Sequence, residues 1–152
     1  VVISQLFPAD WIVPDLKSRT KEELFKEITQ LVVSRRPDIS RETLLDALWE
    51  RERQMTTGIA WGVALPHTNL PQLGATLGLL GLSRKGIEYN SLDGEPVHVV
   101  FFLLGDSEAP DEHIFVLRNL AMMLTNPDFF PTLVKCRAAK DVWATLRLFE
   151  QS

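Results

Sequence analysis

Val97-His98-Val99-Val100-Phe101-Phe102-Leu103-Leu104 is a near-continuous apolar stretch with one polar interruption. A strand wetted on one face alternates apolar with polar residues, whereas a strand covered on both faces does not. The stretch therefore predicts a central strand over 97–104 with a further layer on each side. Working outward, residues 75–82 read as a second strand, followed by an Arg84-Lys85-Gly86 turn and a short extended piece, Ile87-Glu88-Tyr89. Leu92-Asp93-Gly94 is another turn signal. Upstream, Ile59, Trp61, Val63 and Leu65 alternate with Ala60, Gly62 and Ala64, a period of two that predicts a strand over 59–65. Pro66 cannot donate to a sheet ladder and ends it, which leaves His67 in a loop that runs through Asn69-Leu70-Pro71.

Helices flank this block. Thr20-Lys21-Glu22-Glu23 is a capping-box pattern, and Leu24, Ile28, Leu31 and Val32 recur at helical spacing until Arg36-Pro37 stops the run. Ser40 caps a second helix carrying Leu44, Leu45, Leu48 and Trp49 to about Arg53. After the strands, a helix from Glu112 places Ile114, Leu117, Leu120, Ala121 and Leu124 on one stripe and ends at Asn126-Pro127; short helices follow at 128–135 and 140–150. Pro8 and Pro14 oppose helix, so the first fifteen residues are expected to be extended. Helices, adjacent strands, then helices again predict an α+β fold in three α/β/α layers, a mixed β-sheet flanked by helices.

Composition narrows the function. The chain has 152 residues, 45% hydrophobic and 24% charged, which predicts a single domain over 1–152. Lacking an initiator methionine, it is read as a trimmed chain or one domain of a longer one. Cys136 stands alone, so no internal disulfide forms and a reducing, cytoplasmic setting is expected. The net charge of −4 gives no basic footprint for nucleic acid. Three histidines, at 67, 98 and 113, lack metal-ligand spacing, so no metal is expected. Residues 54–83 carry no charged side chain, yet Pro66, His67, Asn69, Pro71 and Gln72 interrupt them; neither a targeting segment nor membrane insertion is expected.

Among candidate chemical groups, His67 is the sharpest. A neutral imidazole can act as acid, base or nucleophile; equally, a loop histidine can merely bond a nearby carbonyl. His113 falls in the first turn of its helix, where backbone N–H groups favour anions, or it is a capping or surface residue. His98, between Val97 and Val99, reads as a satisfied sheet histidine. Arg51 and Arg53 complement a helix C-terminus, or offer a guanidinium to an oxyanion held by the following loop. Thr57 and the backbone around Gly58 add neutral donors.

Thr57-Gly58-Ile59-Ala60-Trp61-Gly62-Val63-Ala64-Leu65-Pro66-His67 resembles the enzyme IIA family of the bacterial phosphotransferase system, in its mannitol/fructose class that includes the nitrogen-regulatory IIA proteins. That family carries Thr-Gly-Ile-Gly, a variable stretch, then Gly-x-Ala-x-Pro-His-Gly, preceded by an Arg-Glu pair; Arg51-Glu52 stands in the matching place. Gly86-Ile87 and Asp93-Gly94-Glu95-Pro96-Val97 look like the family's glycine turn and following strand. His113 with Leu117, Leu120-Ala121 and Leu124 is similar to its His-Leu-x-x-Leu-Ala helix. Ala60 and Thr68 depart from it, each standing where Gly is common; Thr68 would add a Cβ beside the reacting ring and slow transfer or narrow partner choice.

The resemblance implies phosphoryl transfer through a phosphohistidine on His67, with His113 as stabiliser, Arg51 supplying positive charge, and Thr57 and Gly58 binding phosphate. It implies an HPr-like phosphocarrier as donor and a IIB domain or a regulatory protein target as acceptor, with no cofactor. An apolar rim drawn from 54–83 would exclude water around His67. The alternative is a non-catalytic regulatory binding module of the same fold, like the cytoplasmic domains of some anion transporters.

Overall fold

Residues 2–15 are not extended throughout. In the computed structural model, which describes residues 2–59 and 61–150, they form a one-turn helix α1 (Ile3–Leu6), a 3-10 turn (Ala9–Trp11) and a two-residue strand β1 (Ile12–Val13). Burial overrides the prolines here. Ile3, Phe7 and Ile12 belong to the core, and Pro8 is accommodated at the cap between the two turns.

The next two helices follow their local signals. Thr20 caps α2 (Lys21–Arg35), its Oγ1 accepting from Glu23 N at 3.2 Å, while Ser40 caps α3 (Arg41–Gln54) in the same manner. Glu23 does not complete the reciprocal box, because its carboxylate accepts from Arg19 N instead.

The predicted strand over 59–65 shrinks to β2 (Val63–Ala64). Gly58 bridges to Ala64, and Ile59 N donates to Val63 O at 3.0 Å, so 57–65 folds back on itself as a tight hairpin. Trp61 (φ 52°) and Gly62 (φ 87°) make the turn; Ala60 lies outside the described residues. The chain then resumes pairing as β3 (His67–Leu70). His67 thus opens a strand rather than a loop. Pro66 interrupts the ladder only by lacking an N–H, and its carbonyl still accepts from Leu103 N.

The strand predicted at 75–82 extends to β4 (Leu77–Ile87). The expected Arg84-Lys85-Gly86 turn is a register shift within β4, between Leu82 and Ile87, where it pairs antiparallel with β5 (Val97–Asp106). Such a bulge bends a strand without ending it. Helices α4 (Pro110–Leu124), α5 (Phe129–Lys135) and α6 (Ala139–Glu150) complete the chain, α4 starting two residues early because proline suits the first helical position.

Among the described residues the sheet has five strands. β1 runs parallel to β4, and β4 antiparallel to β5. β2 and β3 lie end to end along the other edge of β5, both parallel to it. One face, with Val100, Phe102 and Leu104, packs on Phe25, Ile28, Leu44 and Leu48 of α2 and α3. The other, with Val99, Phe101 and Leu103, packs on Val116, Leu120, Phe129 and Leu146 of α4 to α6. The apolar run in β5 is therefore covered twice, as the three-layer α+β expectation requires.

Candidate functional site

The break at Leu65-Pro66 creates the site. Pro66 donates nothing to the ladder, and the Leu65 carbonyl turns to the His67 ring, whose Nδ1 lies 2.7 Å away. A carbonyl only accepts, so Nδ1 carries the proton and Nε2 keeps its lone pair. His67 pairs with Leu103 in the register of β3 on β5 and so shares the face covered by α4. Burial lowers its pKa below the ordinary histidine value. The Leu65 bond and Glu52 oppose that shift, and the Arg51 charge adds to it. The free ring is a neutral, half-buried base.

His113 faces it. The two ring centroids are 5.4 Å apart at 44°. His113 is 5% exposed, and neither ring nitrogen has a hydrogen-bond partner. Burial, and secondarily His67, push its pKa down to about 4. A buried polar group without a partner costs about 1–3 kcal/mol, and the ring is retained here beside His67. Its place depends on Gly105 in β5, opposite Asn69. A Cβ at Gly105 would lie 2.5 Å from His113 Nδ1 and 2.6 Å from Asn69 Oδ1.

Arg51 ends α3 with Nη1 donating to Met55 O at 2.9 Å, and its charge is felt at His67. The structure thus brings His67 and His113 face to face, with the Arg51 charge within electrostatic reach. Thr57 and Gly58, expected to bind phosphate, have hydrogen-bond partners within the protein. Thr57 is 3% exposed; its N–H donates to Glu52 Oε2 (3.0 Å), and its hydroxyl lies 2.7 Å from Glu52 Oε1 and 2.6 Å from the Tyr89 hydroxyl. The Gly58 N–H donates to Thr56 Oγ1. Thr57 and Gly58 thus order the loop through bonds within the protein. His113, its pKa held low by burial, faces His67 as a neutral ring. Thr68 takes the register of Leu104 and faces α2 and α3, so its Cβ is not beside the reacting ring.

Sequence reasoning passed over the group that organises the loop. Glu52 is buried, bonded to Thr57 and paired with Lys21 Nζ at 2.8 Å. Burial pushes its pKa up, but Lys21 and the two Thr57 bonds outweigh this and hold the carboxylate ionised. Lys21 Nζ also sits 4.6 Å from the Tyr89 ring centroid. The signal was available: Leu44, Leu48 and Glu52 recur every four residues, so the inward stripe of α3 ends on a carboxylate. His98 is satisfied as expected, Nδ1 lying 2.8 Å from Ser83 O.

The apolar rim is built differently from the expectation. Most of 54–83 packs inside, leaving Met55 exposed beside Arg51, whereas Trp61 stands at the hairpin tip. Ile114 and Phe115, exposed directly after His113, supply apolar surface that the sequence reading did not include. Among the described residues no group of three His, Cys, Asp or Glu could hold a metal ion, and no helix is long and apolar enough to cross a membrane.

Comparison with known proteins places the whole chain among relatives. Residues 5–148 match the family model described as "Phosphoenolpyruvate-dependent sugar phosphotransferase system, EIIA 2". The chain is 31% identical over 146 residues to a nitrogen regulatory protein of Bradyrhizobium diazoefficiens, covering 96% of this chain and 95% of that one. It is 26% identical to a fructose-specific EIIA component of Haloferax volcanii, over 92% of this chain and 91% of the relative. The crystal structure of nitrogen regulatory protein IIA-Ntr from Neisseria meningitidis superposes with a TM-score of 0.88 at 29% identity, covering 96% of this chain and 99% of that one.

Proposed function

The chain belongs to the phosphotransferase-system EIIA 2 family, and from that premise we propose that it is a phosphocarrier whose phosphoryl group rides on His67 Nε2. The observation that carries this reading is the buried His113 ring, bondless on both nitrogens and 5.4 Å from His67. A phosphoryl oxygen is the partner that ring lacks.

In the proposed step the Nε2 lone pair attacks phosphorus on a phosphorylated HPr-like carrier. The donor's N–P bond breaks, and its electron pair returns to the donor ring. Nδ1 keeps its proton throughout, and its bond to Leu65 O strengthens as the phosphorylated ring becomes cationic. The loose transition state spreads negative charge over the equatorial oxygens. His113 donates an N–H to one of them, and the dianion favours a second proton on that ring. Arg51 contributes a fixed charge with Nε and Nη2 free to form a fork. Lys21, Glu52, Thr57 and Tyr89 hold the loop without touching phosphate. Met55, Ile114 and Phe115 give a docking partner apolar surface with which to exclude water. No step calls for a metal or cofactor.

The acceptor is a IIB domain or a regulatory protein target. The match to a nitrogen regulatory relative over nearly all of both chains favours the regulatory branch. We assign the chain to the cytoplasm, where a phosphoenolpyruvate-driven relay draws its donor.

Incubation with enzyme I, HPr and radiolabelled phosphoenolpyruvate tests the proposal. Wild type is expected to take up acid-labile, base-stable label, and His67→Ala none. His113→Ala should still be labelled but pass the group on slowly, and Arg51→Ala should slow transfer on the order of a hundredfold. An unlabelled wild type would leave a non-catalytic binding module; label in His67→Ala would move the nucleophile elsewhere.

A further inference from the structure

A second cavity, of about 440 Å³, opens between the bulge of β4, the start of β5 and α5. It lies far from His67. His98 in its wall precedes Leu103, the partner of His67, by five positions on β5, roughly 16 Å along the strand. Phe130 and Val134 of α5 give it an apolar side, Arg84 and Arg137 give it a basic one, and His98 adds a polar ring. No carboxylate lines it, in a chain with more acidic than basic residues.

The basic groups are available. The Arg84 side chain, exposed on the bulge, forms no hydrogen bond or ion pair among the described residues. Arg137 engages only Nη1, with the carbonyls of Val134, Lys135 and Cys136, leaving Nε and Nη2. His98 donates Nδ1–H to Ser83 O, so its Nε2 presents a lone pair and the ring lines the wall without donating to an anion. Two guanidiniums without a counter-charge match a dianion with several terminal oxygens better than a monoanionic carboxylate. The volume falls within the ordinary range for small-molecule sites, and the apolar wall suits a ligand with a carbon body.

We infer that this cavity binds a small organic phosphate, its dianion between Arg84 and Arg137 and its carbon body against Phe130 and Val134. The site is separate from the phosphocarrier reading and stands or falls without it.

Titration of the full chain with phenyl phosphate, followed by amide chemical shifts, is the test. Saturable shifts are expected at Arg84, His98 and Phe130. Arg84→Gln combined with Arg137→Gln should weaken binding at least tenfold; both side chains are exposed, and the amide spectrum reports whether the fold is kept. Arg51→Gln should bind as wild type does, while inorganic phosphate and benzoate should each bind at least tenfold more weakly. Absence of saturation, equal affinity in the double variant, or shifts centred on His67 and lost in Arg51→Gln would overturn the site. Benzoate binding as tightly as phenyl phosphate would overturn its assignment to phosphate.

Discussion

Leu65 lends one carbonyl to His67, and that acceptor decides which ring nitrogen is basic. Gly105 plays a comparable part for His113, not by backbone freedom but by leaving space for the ring. Adding one methyl group there crowds His113 Nδ1 and Asn69 Oδ1, both side-chain atoms near the site mouth, so the fold should survive while the ring moves. Gly105→Ala is expected to cost about 1–2 kcal/mol by overpacking, to retain labelling of His67, and to slow onward transfer about tenfold, since a hydrogen-bond donor displaced by a fraction of an ångström loses much of its catalytic effect. Rapid-quench transfer kinetics beside a urea melt would check it; wild-type rates would show that the position of His113 does not matter. The proposed reacting residues stand out in the sequence because Pro-His and a later His carry a family pattern. Glu52, Tyr89 and Gly105 stand out less, because their roles arise from contacts between separate elements. The tautomer of His67 was invisible to sequence, since it depends on where a carbonyl points.

At the scale of elements, helices came through because their signals are local: Thr20 and Ser40 are caps, and the apolar spacing of α2 and α3 needs no partner to be seen. The central strand was equally clear, as its composition reports burial on both sides. The edge was not. Alternation over 59–65 is genuine, but the residues on either side of Trp61 pair with each other, and only Val63–Ala64 reach β5. Likewise Arg84-Lys85-Gly86 carries turn chemistry yet lies in a bulge, because β4 continues to Ile87 opposite Val97. The hairpin tip carries a cost of its own. Trp61 is 80% exposed and holds φ at 52°, a region unfavourable for a bulky side chain and tolerated by asparagine. Its N–H bond to Asp93 comes from the backbone and survives substitution. Trp61→Asn should therefore stabilise the chain by up to about 1 kcal/mol in urea denaturation. Destabilisation would mean that the indole makes a favourable contact outweighing the strain.

Across the whole molecule, acid response should divide into two phases governed by different groups. His67 and His113 both have folded-state pKa values below the ordinary 6.5, His113 at about 4. The unfolded chain then binds more protons than the folded one between about pH 6.5 and 4, so stability falls as pH drops through that window and levels off below it. Glu52, Asp93 and Asp106 are depressed carboxylates. Burial opposes the Glu52 shift, whereas backbone N–H groups hold Asp93 and Asp106 low. Their contribution is complete above their unfolded pKa values, near 4, and is lost only at more acid pH. The histidine phase belongs to the site and the carboxylate phase to the scaffold. Urea melts from pH 8 to 3 should show a first decline on the order of 2 kcal/mol, discounted from the full His113 shift because water reaches the mouth. A second, steeper decline should begin near pH 4. His113→Asn should flatten the first phase and leave the second in place. An unchanged first phase in that variant would mean that His113 is not a buried neutral ring, and with it would go the unsatisfied donor on which the proposed phosphoryl binding at His67 depends.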